Sequence, residues 1–303
     1  TASAYLFSPA TAIRVRNDVN KDTPLPPEIP AGQNPPAGAV IDYWLGATAN
    51  GPVQLAIYDT KGRLIREYAS DSVTPKLTAD QYFPNGWLSP PEHLDAAAGA
   101  HRFVWDLRYP RPHALQYDYS IAAIFARGTP VVPEGPMVLP GHYTVRLTAG
   151  GKTWSKPLVV KADPREQVSN AVLAEQLDFA LKIGKTLDET ARTHDAADAL
   201  HLKLKDMAPR LADKPDLLTQ VQALDQHVVA LQATARQPLN LAAVNGHLAS
   251  LAAEVNDGDR APPAQYRDVY KLYAGCADSD ISAWDAVGKT ALPTLNADLK
   301  RQG

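Results

Sequence analysis

Residues 143–164, YTVRLTAGGKTWSKPLVVKADP, contain the clearest hairpin signal in the chain and the change of pattern that follows it. Side chains alternate in YTVRL, Gly150-Gly151 supplies a turn, and TWSKPLVV returns as a second strand. Asp163-Pro164 then offers a helix N-cap and a proline at the first helical position, where a missing N–H costs nothing. The stretch therefore predicts a boundary at 163 between a β-rich part and a helical part.

The distribution of proline supports this division, since 19 of the 26 prolines precede residue 164. Proline removes a ladder donor and cannot continue a helix, so the first half should consist of strands and long connections. Further strands are predicted at 39–45, 53–58, 63–68 and 101–107. Short strands without intervening helices predict an antiparallel β-sandwich over residues 39–163, with 1–38 as an extended Pro-rich segment that packs on it.

In the second half, apolar residues recur at spacings of three and four, which places them on one helix face. Four such stripes are Leu173-Leu177-Ala180-Ile183-Leu187, Leu217-Val221-Leu224-Val228-Leu231, Leu241-Val244-Leu248-Leu251-Val255 and Tyr266-Val269-Tyr273-Cys276. Short breaks between them favour antiparallel neighbours, so residues 164–303 are predicted to form an antiparallel helical bundle with the stripes as its core. On this interpretation Cys276 is a small core residue.

Composition excludes several classes of protein. With 303 residues, 45% hydrophobic content and a net charge of -3, the chain can bury two cores and has no global charge that would attract nucleic acid or an anionic membrane. No run approaches the roughly 18 apolar residues of a membrane span. The single cysteine excludes an intramolecular disulfide framework.

Three segments carry a family resemblance: VQLAIYDTKGRLIR (53–66), GAHRFVWDLR (99–108) and PGHYTVRL (140–147). They resemble the immunoglobulin-like module of the flagellar hook-capping type. Together with LFSPATAIRV (6–15) and DGDRAPPAQY (257–266), their order is similar to the C-terminal region of secreted bacterial sortilin-like or BNR-repeat β-propeller proteins, often labelled glycosyl hydrolases.

This resemblance implies an Ig/FnIII-like form for the sandwich, a periplasmic or secreted location, and an upstream β-propeller domain or protein as partner. The start Thr-Ala-Ser-Ala-Tyr, without an initiator Met, is interpreted as a processed or cut terminus of such a larger protein. The propeller repeats themselves do not occur in the sequence. No activity of a propeller is therefore carried over to this chain.

Candidate catalytic residues are few, because the sequence contains no G-x-S-x-G, H-E-x-x-H, phosphate-loop or C-x-x-C motif. Glycoside hydrolysis needs two carboxyl groups across a sugar cleft, and Asp106 and Glu92 are possible members of such a pair. Asp106 follows Trp105 at a strand end, where a carboxylate also caps turns. The capping interpretation is preferred.

The segment Asp18-Val19-Asn20-Lys21-Asp22 alternates oxygen ligands as a calcium loop does, with Asp18, Asn20 and Asp22 as the candidate ligands. It is not an EF-hand, because Thr23 replaces the glycine and Ile29 replaces the final glutamate. A solvated polar loop is the preferred interpretation. No other metal or cofactor is expected.

Aromatic residues in the Pro-rich connections provide the one signal for binding. Tyr82, Trp87, Tyr109 and Tyr117 lie outside the periodic strands, and exposed rings can pack on sugars or anchor a protein partner. The preferred interpretation is that these rings cover the edges and ends of the sandwich.

The sequence thus predicts a non-catalytic structural or interaction region. The alternatives are a carbohydrate-active enzyme of the glycoside hydrolase type and a carbohydrate-binding module.

Overall fold

A computed structural model describes residues 3–16, 30, 32, 35–73, 77, 79, 81, 93–119, 130–232 and 239–302. The chain divides into two compact units, and each is described separately. The first unit comprises residues 1–111, 118–178 and 256–261. The second comprises 112–117, 179–255 and 262–303.

The first unit contains the strands. They are β1 (Ala4–Leu6), β2 (Ala12–Arg14), β3 (Ala39–Leu45), β4 (Gln54–Asp59), β5 (Leu64–Ala69), β6 (Gly99–Trp105), β7 (Asp118–Tyr119), β8 (Val131–Val132), β9 (Gly141–Ala149) and β10 (Lys152–Ala162). The first sheet has the order β1-β3-β6, and the second has the order β2-β10-β9-β4-β5. β7 and β8 form a separate two-stranded ribbon.

Both predicted hairpins are confirmed. β9 and β10 pair antiparallel around Gly150 and Gly151, whose φ angles of 55° and 74° lie in the left-handed region that glycine tolerates. β4 and β5 pair antiparallel, and the Asp59 carboxylate accepts hydrogen bonds from the backbone N–H groups of Lys61 and Arg63. Local turn chemistry therefore fixed both pairings.

The predicted fold class, an antiparallel Ig/FnIII-like sandwich followed by an antiparallel helical bundle, is wrong. The second sheet is mixed, because β2 runs parallel to the end of β10, with Ala12 opposite Val160 and Arg14 opposite Ala162. Side-chain alternation predicts a strand but not the direction of its partner, and β2 is only three residues long. Each unit also contains a short segment from elsewhere in the chain, since residues 256–261 belong to the first unit and 112–117 to the second.

The core of the first unit draws side chains from both larger sheets. Ile41, Tyr43 and Leu45 of β3 alternate inward, and their neighbours in sequence face outward. Leu147 of β9 and Trp105 of β6 are completely buried in the same cluster. The inner face of each sheet is thereby fixed, and so is the opposite, outward face.

The helices are α1 (Asn170–Met207), α2 (Pro215–Gln232), α3 (Leu241–Asn256), α4 (Ala264–Ala286) and α5 (Leu292–Gln302). The predicted helix start at Pro164 is wrong, because α1 begins at Asn170. Ser169 is its cap, with Oγ accepting a hydrogen bond from the N–H of Val172 at 3.3 Å. The Asp163 carboxylate instead accepts hydrogen bonds from the backbone N–H and the guanidinium of Arg165.

The predicted stripes of α1, α2 and α3 are confirmed, since every member is buried. The stripe predicted in α4 is wrong. Tyr270 and Ala277 are the buried residues of that helix, whereas Val269 is 39% exposed and Cys276 is half-buried. Asn245 lies on α3 in the second unit and is fully buried, although its side chain is polar.

Candidate functional site

The predicted site residues are distributed over the chain, and several lie outside the described residues. Those are Asp18, Asn20, Asp22, Tyr82, Trp87 and Glu92. Within the described part, Asp106 Oδ1 accepts a hydrogen bond from the backbone N–H of Arg108 at 3.0 Å and closes the turn after β6. Tyr109 is half-buried against the core of the first unit, and burial raises the pKa of its hydroxyl.

Tyr117 belongs to the second unit and is buried. Its hydroxyl donates a hydrogen bond to the Pro112 carbonyl at 2.8 Å and accepts one from the Ala114 N–H at 3.0 Å. The ring therefore anchors a local turn. Across the described residues, no group of three His, Cys, Asp or Glu side chains is arranged to hold a metal ion.

The first sheet carries an unusual outward surface, here called the aromatic face, formed by Tyr5, Phe7, Asp42, Trp44 and Arg102. Register places Tyr5 beside Trp44 in one row and Asp42 beside Arg102 in the next. The Phe7 N–H donates to the Asp42 carbonyl at 3.0 Å, which continues the ladder by one residue. All five side chains therefore lie on the face opposite the core.

The aromatic rings on this face are accessible. Tyr5 and Phe7 are each 45% exposed, their ring centroids are 4.9 Å apart, and their planes meet at 72°. Trp44 is half-buried in the neighbouring strand. Burying large apolar rings is favourable, so exposed rings held side by side on a sheet point to a surface that binds something.

Charged groups flank the rings of the aromatic face. Arg102 donates from Nε and Nη2 to the two carboxylate oxygens of Asp42 at 2.8 and 3.0 Å. These hydrogen bonds lower the pKa of Asp42, so its carboxylate is an acceptor at neutral pH. At the edge of the face, the Lys156 ammonium lies 5.7 Å from the centroid of the Tyr5 ring.

A second constellation in the first unit, here called the arginine cluster, consists of Arg14, Arg16, Arg108, Glu134 and Asp259. The Asp259 carboxylate forms a bidentate pair with Arg14 and also accepts from Arg16 Nε at 2.6 Å. Arg108 Nη2 pairs with Glu134 Oε2 at 2.8 Å. Backbone carbonyls accept further hydrogen bonds, from Arg14 Nε to Val138, from Arg16 Nη1 to Asn256 and from Arg108 Nη1 to Gly135.

Burial shapes the electrostatics of the arginine cluster. The pKa of the Arg16 guanidinium is lowered, and burial is the largest cause. The charge and hydrogen bond of Asp259 act to raise this pKa, whereas the positive charges of Arg14 and Arg108 lower it further. Burial alone would raise the pKa of Asp259, but hydrogen bonds and charge from Arg14 and Arg16 outweigh it and lower that pKa. Asp259 is therefore ionised at neutral pH and engaged by two cations.

Sequence reasoning missed both constellations. Ala4-Tyr5-Leu6-Phe7 alternates small or aliphatic residues with rings, and Asp42 and Trp44 alternate with buried residues of β3. These patterns could have identified the outward ring positions. Nothing local could have paired Arg14 with Asp259, which are 245 residues apart.

No protein-family model, no curated protein and no solved structure matches this chain. Among the helices that the structure describes, none combines the length and the apolar character needed to cross a membrane.

Proposed function

We propose that this chain is a non-catalytic interaction region and that its aromatic face binds carbohydrate. The observation that carries the proposal is the pair of neighbouring rings, Tyr5 and Phe7, each 45% exposed beside the Asp42–Arg102 pair. The C–H face of a sugar packs on an aromatic ring. Its hydroxyls require a few well-placed donors and acceptors nearby, which Arg102 and Asp42 provide.

The ring geometry also favours one form of carbohydrate over another. Because the Tyr5 and Phe7 planes meet at 72°, the two rings do not form one flat platform. One ring can pack on the face of a sugar while the other covers its edge. This arrangement suits a single glycan chain or a terminal sugar rather than the flat surface of a crystalline polysaccharide.

The chemistry of the acids supports binding without catalysis. A glycosidase needs a general acid whose pKa is raised and a second carboxyl group about 5 to 10 Å away. Asp42, the acid on the aromatic face, has a lowered pKa because it accepts hydrogen bonds from Arg102. Asp106 uses one carboxylate oxygen to close a turn.

The upstream β-propeller partner and the periplasmic or secreted location stay predictions that rest on the family resemblance. The sequence of the full-length precursor tests both. A signal peptide followed by propeller repeats would support them, and a precursor without either would contradict them.

The proposed binding is tested by screening the 303-residue chain on a glycan array and measuring affinities for the sugars that bind by calorimetry. Tyr5→Ala and Trp44→Ala should each weaken binding roughly 10-fold or more, because truncating a central ring at a contact costs about 2 kcal/mol or more, and about 1.4 kcal/mol corresponds to a factor of 10. Tyr58→Ala is the matched control, since that ring lies on the second sheet, 4.5 Å from the Arg146 guanidinium. It should leave affinity unchanged.

Two results would overturn the proposal. One is a chain that binds no glycan on the array, including the case in which the aromatic face instead captures a protein. The other is a glycan whose affinity falls equally in Tyr58→Ala and Tyr5→Ala.

A further inference from the structure

Counted over the described residues, the arginine cluster carries more positive than negative charge. Three guanidinium groups, those of Arg14, Arg16 and Arg108, face two carboxylates, those of Asp259 and Glu134. Asn256 joins the two halves, since its carbonyl accepts from Arg16 and its side-chain amide donates to the Glu134 carbonyl at 3.4 Å. A largely buried cluster with one excess cation is unfavourable unless an anion compensates it.

Solvent accessibility differs among the three guanidinium groups of the cluster. The side chain of Arg14 is 4% exposed, whereas those of Arg16 and Arg108 are 20% and 18% exposed. Arg14 is therefore buried against Asp259. The uncompensated positive charge is accessible to solvent at Arg16 and Arg108.

Among the described residues, the two partly exposed guanidinium groups keep N–H donors without an acceptor. A guanidinium has five N–H donors. Arg16 uses Nε and Nη1, and within the described residues its Nη2 group donates no hydrogen bond. Arg108 uses Nη1 and Nη2, which leaves its Nε–H without an acceptor in the same part of the chain.

The backbone holds Arg108 in place before any ligand arrives. Its N–H donates to Asp106 Oδ1 at 3.0 Å, and its carbonyl accepts from Trp105 Nε1 at 3.1 Å. The preceding residue, Leu107, is buried and has a φ of 61°, a left-handed conformation that costs a residue with a Cβ about 1–2 kcal/mol. Such strain persists where the surroundings impose it, and it concentrates at functional sites.

We infer that Arg16 and Arg108 form a binding site for a small anion with two or more oxygen atoms, of the phosphate, sulfate or carboxylate class. The planar donors of arginine suit such oxygens better than a single-atom anion such as chloride. The site does not involve the aromatic face, so it stands independently of the proposed carbohydrate binding.

The test is calorimetric titration of the 303-residue chain with sodium phosphate, sodium sulfate and sodium acetate, each at an ionic strength fixed with chloride. We expect saturable binding of at least one of the three. Binding of phosphate or sulfate alone identifies an oxyanion site, and binding of acetate alone identifies a carboxylate site.

Two substitutions with opposite expected effects separate the site from a loss of folding. Arg16→Gln should weaken binding 10-fold or more. Glu134→Gln removes a competing carboxylate and should strengthen binding several-fold, a result that unfolding cannot produce. Arg102→Gln removes an arginine from the aromatic face and is the control, which should stay within two-fold of the parent chain.

The inference is overturned if none of the three salts binds saturably, if Glu134→Gln weakens binding, or if Arg102→Gln weakens it as much as Arg16→Gln does. None of these results bears on glycan binding by the aromatic face.

Discussion

Asp259→Ala is the most informative perturbation of the first unit. The Asp259 side chain is 8% exposed and accepts hydrogen bonds from Arg14 and Arg16. The guanidinium of Arg14 is itself 4% exposed, and removing Asp259 leaves it without a carboxylate partner among the described residues. The Val138 carbonyl, which accepts from Arg14 Nε, cannot neutralise that charge.

Breaking a buried ion pair by removing one partner destabilises a protein by about 3–5 kcal/mol. A loss of this size is a large part of the roughly 5–15 kcal/mol that stabilises a typical domain. The connection between α3 and α4 supplies a matched control at Asp257. Its side chain is 74% exposed and lies 3.9 Å from Arg260, so Asp257→Ala should cost less than about 1 kcal/mol.

The stabilisation should depend on pH in a defined direction. The pKa of Asp259 is lowered in the folded chain, so its contribution is complete above the pKa of an unfolded aspartate, about 3.9. It is lost as the pH falls from about 4 towards the lower, folded value. The difference in stability between the parent chain and Asp259→Ala should therefore be constant near neutrality and shrink in acid.

The assay is urea denaturation followed by tryptophan fluorescence, at pH 7 and at several acidic values. Of the tryptophans that the structure describes, Trp44, Trp105 and Trp154 belong to the first unit and Trp284 to the second, so their signal reports mainly on the unit that contains Asp259. Equal denaturation midpoints for Asp259→Ala and Asp257→Ala at pH 7 would contradict the predicted loss of stability. A difference that grows in acid would refute its electrostatic part.

Two further substitutions probe one packed position in each unit. Gly135→Ala should destabilise the first unit by about 1–3 kcal/mol or more, because a Cβ there would lie 1.9 Å from the Tyr109 carbonyl oxygen. Gly141→Ala is the control in the same denaturation assay, since a Cβ at that position has no neighbouring atom closer than 4.0 Å. Asn245→Ala should lower stability by about 1–3 kcal/mol, because its side chain accepts a hydrogen bond from the Leu115 N–H at 2.9 Å and donates to the Leu187 carbonyl and the Thr190 hydroxyl. Thermal unfolding followed by circular dichroism measures this change. A loss no larger than that of the exposed Ser250→Ala would contradict the prediction.

The elements that local chemistry defines could be predicted from the sequence. The hairpins of β4–β5 and β9–β10 follow from turn residues a few positions apart, and the first three helical stripes follow from regular apolar spacing. The apolar spacing in α4 predicted the wrong buried face, for a physical reason. The side chains of Tyr266, Val269 and Tyr273 are partly or largely exposed, and spacing alone does not distinguish their face from the adjacent one that contains Tyr270.

The pairings that join distant segments could not be predicted. β1 and β2 have three residues each, and segments this short do not reveal which strands they pair with. Their partners, β3 and β10, are determined by packing of the whole unit rather than by neighbouring residues. For the same reason, the sequence predicted ligand-binding rings in the Pro-rich connections, whereas the exposed pair of Tyr5 and Phe7 lies at β1.

Residues 5–16 contribute to both candidate sites, so this segment does more than pack on the two sheets. Tyr5 and Phe7 belong to the aromatic face, and Arg14 and Arg16 belong to the arginine cluster. Between them the chain leaves the first sheet at β1 and joins the second at β2. A substitution that displaces β2 from β10 should therefore disturb the arginine cluster directly, whereas one that only removes a ring from β1 should leave the cluster intact, so the two sites can be tested separately in one chain.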